Sequence, residues 1–329
     1  MARSHLTLAA LATSAVAGLD VAAASPFGSR SSGDFESALI TSADGRHWII
    51  RVPTSERAEA EQSGDLLALR ALSTGVRSRL PFAVSSFAGQ TPIGGTRAIV
   101  YEFVYGARLR IDSLQAGDEL AASIGRATAA IHSLPTSVVA DSGLPVLTSA
   151  ELLRASVTLI DRASSTGLVP AGLLGRWERA IEDAALWQFA PTVVHGALGA
   201  GSFLTAGEEV AGVLGWQSLS VGDPANDLSW LLAAADGVAD TAIDAYTLAR
   251  GVGDRQLGKR ARLYSELEVA KWLLHGMQER NTEIVDDAVQ MLGALVDGAT
   301  DLDRSLVHNT MPIMRVDEVV AMLDARRGA

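Results

Sequence analysis

Hydrophobic periodicity changes character near Gly106, and that change most narrows the folds open to this chain. Before it the signals are those of a small sheet. Residues 37–52, "SALITSADGRHWIIRV", read as a β-hairpin, two apolar β-branched runs around an Asp44-Gly45 turn. A Gly/Ser-rich loop precedes it at 26–36, a helix with an acidic start follows at 55–75, and 96–106 reads as a strand to Val104. After Gly106, Leu120, Ile124, Ala127, Ile131 and Leu134 recur at four- and three-residue steps, an amphipathic helix stopped by Pro135. Two helical pieces are expected over 150–187, two short strands at Thr192–Val194 and Val210–Leu214, and mostly helix from 224 to about 298. The order predicts an α+β, bilobal chain: a β-rich lobe over 1–105 with a hinge near 102–105, a mainly helical lobe over 106–300, and a tail helix over 301–329. Such lobes hold a ligand between them.

Composition narrows the partners. Of 329 residues, 48% are hydrophobic, enough for a sizeable core, and a formal charge of −11 argues against binding nucleic acid or an anionic membrane. The absence of cysteine excludes disulfides and thiolate metal sites and fits a cytoplasmic protein. The first nineteen residues, "MARSHLTLAALATSAVAGL", carry two readings. They resemble a signal peptide in their early Arg3 and small apolar residues, and a short packing helix in the spacing of Leu8, Leu11 and Leu19. No apolar run reaches the roughly 18 residues of a membrane span. In the tail, Val316, Val319, Val320 and Leu323 fall on one helical face, so residues 313–327 are a candidate partner-binding helix or one docked on the body.

The chemistry concentrates in two segments, "VVHGALGAGSFL" at 193–204 and "VLGW" followed by "VGDPANDLSWLL" at 213–216 and 221–232. Their order and spacing resemble the aminoglycoside/macrolide phosphotransferase family, which shares the protein-kinase-like fold. In that family the first segment reads His-Gly-Asp-Leu, three residues, Asn, one residue, Leu. The second reads Ile-Asp-Trp, then Gly-Asp-Pro and Asp-Leu. Phosphoryl transfer depends on positioning and charge neutralisation: an Asp orients the acceptor hydroxyl, and an Asn and a second Asp hold magnesium against the phosphates.

Here each of those positions is changed. The base position is Ala197, and the metal-ligand positions are Ser202 and Gly215. The resemblance further implies a phosphate-contacting cation at Arg51, in place of the family's Lys, with Glu59 or Glu61 as its helix partner. Glu102 and Val104 fall in the connector that meets an adenine. His195 is expected as a buried orienter of the loop, and Asp223 and Asp227 as braces. Asp223-Pro224 also reads as an N-cap followed by proline at the first helical position. Gly28 and Gly33 fall where a phosphate-covering loop belongs, without spelling its motif. The expectation is a pseudokinase-like protein, inactive or severely impaired, with ATP or ADP as its cofactor and magnesium deprived of its ligands. Two alternatives stand beside it. One is an active ATP-dependent kinase with relocated groups, Asp34, Glu36, Glu208 and Glu209 being the loop acids at hand. The other is a non-enzymatic protein acting through its C-terminal helix.

Overall fold

A computed structural model describes residues 3–28 and 34–305. The candidate partner helix at 313–327 and most of the loop at 28–33 lie outside the described residues. The elements run α1 (His5–Ala15), β1 (Val21–Pro26), β2 (Phe35–Ser42), β3 (His47–Pro53), α2 (Glu56–Ala71), α3 (Thr74–Arg77), β4 (Ala83–Val84), β5 (Phe87–Ile93) and β6 (Thr96–Glu102). There follow β7 (Ala107–Arg108), α4 (Glu119–His132), α5 (Ser137–Ala140), α6 (Ser149–Ser164), α7 (Ala171–Glu182), β8 (Thr192–Val194), β9 (Phe203–Ala206), β10 (Glu209–Val213) and β11 (Ser220–Gly222). A 3₁₀ helix at Asn226–Ala233 leads to α8 (Val238–Arg250), α9 (Leu257–Glu279) and α10 (Thr282–Ser305). The chain divides into two compact units, Met1–Thr158 with Ala180–Leu267, and Leu159–Arg179 with Glu268–Ala329.

The first unit holds the N-terminal sheet and the segments that carry the His-Gly loop. Its N-terminal sheet is antiparallel, ordered β1-β2-β3-β6-β5. The turn joining β2 to β3 is the expected Asp44-Gly45, with Gly45 at φ 82°, where a glycine carries no Cβ penalty. Strand alternation gives the sheet two faces. Ile40, Trp48, Ile50, Val52, Ala98 and Val100 pack beneath α1, which buries Leu8, Ala9 and Ala12 among them. Ser4 caps that helix by accepting from the Thr7 N–H at 3.2 Å. The packing reading of the N-terminal segment is therefore the one its side chains satisfy. Ile49, Arg51, Ile99 and Tyr101 occupy the opposite registers, where Ile99 and Tyr101 join the core shared with α2 and α4.

Local capping sets the direction of α2. Ser55 accepts from the Ala58 N–H, and Glu56 and Glu59 lie in the first turn, favoured there by the helix dipole. At the far end the Arg77 guanidinium donates to the Leu69 carbonyl at 2.9 Å and to Ser86 Oγ at 2.7 Å, tying the helix terminus to the chain before β5.

Beyond β6 the chain is mostly helical. Helix α4 buries Ile124, Ala127 and Ile131 along the expected stripe. It lies so close to α8 that a Cβ on Gly125 would stand 2.0 Å from the Ala242 carbonyl oxygen. A four-stranded sheet, β4-β10-β9-β7, carries the hairpin that follows the His-Gly loop, and β8 pairs with β11. Sequence patterning missed β1, rich in alanine, and β9, whose residues belong to the motif itself.

Gly125→Ala is expected to destabilise the chain by about 1–3 kcal/mol, because helix backbone rather than a flexible side chain blocks the methyl. Gly293→Ala, in α10 with open space at its Cβ, should instead raise stability by about 0.5–1 kcal/mol. Denaturant unfolding of the two variants checks the contrast.

Candidate active site

The His-Gly loop leaves β8 at His195 and is held by one buried carboxylate. Asp227 Oδ2 accepts from the His195 N–H at 2.7 Å and Oδ1 from the Gly196 N–H at 2.8 Å. His132 Nε2 donates to Asp227 from α4 at 3.1 Å, and the other ring nitrogen meets the Tyr246 hydroxyl at 2.9 Å. Both Asp227 and His132 side chains are fully buried. Burial alone would raise the Asp227 carboxyl, but the His132 hydrogen bond, the neighbouring imidazoles and the Gly196 N–H hold it below its ordinary value. Gly196 is confined to glycine twice over: φ is 82°, and a Cβ would stand 2.3 Å from the Ser218 carbonyl oxygen.

His195 points inward. Its Nε2 donates to the Leu214 carbonyl at 3.1 Å, which leaves Nδ1 as the unprotonated nitrogen, buried and without a partner. The ring packs against Trp216, centroids 4.7 Å apart. Burial pushes the imidazole below its ordinary 6.5, against the pull of Asp227. The neutral ring ties the start of the loop to the Leu214 carbonyl and does not line the cavity described below.

Asp223 differs from its N-cap expectation. The helix after it is 3₁₀ and begins at Asn226, with Ala225 as its cap residue. Asp223 does accept from the Ala225 N–H at 2.9 Å, closing a turn. Its greater engagement is with the fully buried Arg260, which donates Nε and Nη2 at 2.7 and 3.1 Å, and with the Tyr264 hydroxyl at 3.1 Å. Arg260 also pairs with Asp254 and lies over the Phe189 ring. A buried arginine needs two carboxylates and a flat apolar face more than a helix start needs a third capping bond.

A cavity of about 430 Å³ opens between the N-terminal sheet and this loop. Its walls include Arg51 and Ile49 from β3, Glu61 and Asp65 from α2, Glu102 to Val104 from the connector, and Ala197, Ser202 and Gly215 below. The three altered motif positions thus share one cavity. Ser202 Oγ lies 3.4 Å from the Ala197 carbonyl. Gly215 has a left-handed backbone, φ 83° and ψ 52°, a conformation that Asp and Asn also tolerate. At the connector, Ser85 donates to the Glu102 carbonyl at 3.0 Å, and Phe103 sits among Phe27, His47 and Tyr105.

The expected partner of Arg51 needs correction. Glu59 is not on the cavity wall, and among the described residues neither Glu59 nor Glu61 comes within ion-pair distance of Arg51. The Arg51 guanidinium lies 3.8 Å over the Phe35 ring. Its charge acts on Asp65, which the sequence reading passed over. Asp65 Oδ1 accepts from the Trp216 N–H at 3.0 Å; burial raises its carboxyl, with that hydrogen bond and Arg51 opposing. The missed signal was spacing: Asp65 stands one helical turn beyond Glu61, on the same face of α2. The four loop acids stay off the cavity wall: Asp34 pairs with Arg57, Glu36 with Arg3 and Glu209 with Arg126, while Glu208 is exposed.

Magnesium does not fit this donor set. It demands several hard oxygen ligands, and the implied positions offer a methyl, one hydroxyl and no side chain. Among the described residues no cluster of three or more His, Asp or Glu side chains is placed to hold a metal.

Comparison with known proteins agrees with this arrangement. The sequence model of the "Phosphotransferase enzyme family" matches residues 28–264. The chain belongs to that family. It is 24% identical over 283 residues to the uncharacterized protein YcbJ of Bacillus subtilis (strain 168), covering 80% of this chain and 88% of that protein. Among solved structures, macrolide 2'-phosphotransferase MphH from Brachybacterium faecium superposes with a TM-score of 0.71 at 22% identity, over 88% of this chain and 98% of that one. The GDP complex of wild-type aminoglycoside 2'-phosphotransferase-IIIa gives 0.72 at 16% identity, over 90% and 100%. These likenesses confirm the bilobal kinase-like fold. No helix of the described residues is long and apolar enough to cross a membrane.

The buried imidazole gives a pH dependence with a definite sign. Below about pH 6.5 the unfolded chain takes up a proton at His195 that the folded chain refuses, so stability falls as pH drops. The thermal midpoint should decline from pH 7.5 to pH 5, and His195→Asn should flatten that decline. Asp227→Ala, which strands two backbone N–H groups and His132, is expected to cost about 3 kcal/mol or more in denaturant unfolding.

Proposed function

We propose that this family member binds ATP or ADP in the cleft and has lost phosphoryl transfer. The supporting observation is that the three positions which the family resemblance assigns to base and metal ligands line one cavity, where they supply a single hydroxyl. Ala197 has no group to orient an acceptor hydroxyl, and nothing at Gly215 can neutralise charge through a metal. Loss of the base alone leaves slow transfer; loss of base and metal together removes the larger electrostatic contribution. The scaffold residues are all engaged: Asp227 on the loop, His195 on the 214–216 backbone, Asp223 on α9. A nucleotide-binding or scaffolding role follows.

One observation favours a second reading, an active kinase with relocated groups. Asp65 places a carboxylate on the cavity wall, and burial raises it above its ordinary value, against the Trp216 hydrogen bond and Arg51. Its Oδ1 is already taken by the Trp216 N–H, which argues for a positioning role.

A phosphotransfer screen decides between them, with macrolide and aminoglycoside acceptors chosen from the names of the structural relatives. The unmodified chain is expected at background, with Ala197→Asp/Ser202→Asn/Gly215→Asp gaining activity; the left-handed backbone at 215 costs an Asp about 1–2 kcal/mol, so the thermal midpoint of the triple variant is measured beside its turnover. Turnover by the unmodified chain that Asp65→Asn abolishes and the triple change does not raise would establish the relocated site instead.

A further inference from the structure

The position of the family's second carboxylate is not an open gap. A Cβ built on Gly215 would stand 3.4 Å from Gln217 Oε1, and Gln217 lines the same cavity as Arg51. The carboxamide of Gln217 therefore lies in van der Waals contact with the place where a side chain at 215 would begin. An amide is neutral, a poor magnesium ligand alone, and carries two N–H donors that suit phosphate oxygens.

Arg51 supplies the charge. It pairs with Ser37 and Ile99 on the central strand of the sheet, so its backbone is fixed, and its guanidinium is stacked flat on Phe35. Among the described residues no carboxylate forms an ion pair with it. A half-buried, flat-stacked arginine leaves its N–H edge available for bidentate recognition of a phosphate. Three carboxylates share the walls, and none holds Arg51: the Asp65 Oδ1 accepts from the Trp216 N–H, and among the described residues neither Glu61 nor Glu102 forms an ion pair with the guanidinium.

We propose that the cleft holds a nucleoside diphosphate or triphosphate without a divalent cation, through the Arg51 guanidinium and the Gln217 carboxamide. This deepens the nucleotide reading above and rests on it. The resemblance assigns the metal an Asn and an Asp at positions that here are Ser202 and Gly215; neither carries a carboxylate, the Gln217 amide lies beside one of them, and the Arg51 guanidinium is a fixed cation that can meet the phosphates. Magnesium then adds nothing to the protein's side of the interaction.

Isothermal titration of the full-length chain with ADP, in excess EDTA and in excess magnesium, tests the inference, with adenosine as the phosphate-free control. Affinities for ADP within about threefold in the two buffers are expected. Arg51→Met and Gln217→Ala should each weaken ADP by about tenfold in EDTA and leave adenosine unchanged. Gln217→Glu, which preserves volume, should weaken ADP in EDTA and recover it with magnesium. ADP binding that appears only with magnesium overturns the metal-free site and leaves the nucleotide reading standing. Full ADP affinity in EDTA for all three variants does the same. Failure of both adenosine and ADP to bind removes the nucleotide reading, and this inference with it.

Discussion

Two consecutive backbone N–H groups, those of His195 and Gly196, converge on the two oxygens of Asp227, and the cleft depends on that clamp. It fixes the loop at the point where β8 ends, inside a core that water does not reach, with His132 completing the carboxylate's bonds. Everything the loop presents downstream takes its position from there: Ala197 on the cavity wall, the 3₁₀ turn Ala200–Ser202, and Phe203 opening β9. A carboxylate with this many donors is costly to disturb, since removing it leaves three groups unpaired on two separate segments.

The same logic of shared polar groups joins the sheet lobe to the loop. Asp65 reaches from α2 to the Trp216 backbone, Trp216 packs on His195, and His195 donates to Leu214. Gly64 lets α2 approach the Gln217 carbonyl, where a Cβ would stand 3.1 Å away. The helix to which the resemblance assigns the partner of Arg51 is thereby pressed onto the segment that contains Gly215. These contacts are independent of any chemistry at positions 197, 202 and 215, which is why the architecture persists with those residues changed.

Much of this was legible in the sequence, and the reasons differ by residue. The hairpin around Asp44-Gly45 and the stripe Ile124, Ala127, Ile131 were readable because turn chemistry and periodicity are local. The loop and its brace were readable because motif spacing carries residues at fixed offsets. Asp65 and Gln217 were not, for they belong to no motif and matter only through proximity across more than a hundred residues. Helix type after Asp223 was likewise hidden, because Arg260, thirty-seven positions away, decides how that carboxylate is used. The expected pairing of Arg51 with Glu59 or Glu61 is not seen among the described residues, where the guanidinium instead lies over an aromatic face on the neighbouring strand.

The short strand Ala83–Val84 comes from the N-terminal half of the chain, yet it pairs in parallel with Gly212–Val213, next to the hairpin that follows the loop. A hydrogen-bonded tie thus joins the N-terminal half of the chain to that hairpin alongside the covalent connector at 102–105. Parting the roof of the cleft from its floor would therefore break strand pairing as well as bend the connector, so opening the slot carries a hydrogen-bonding cost that the covalent link alone would not impose.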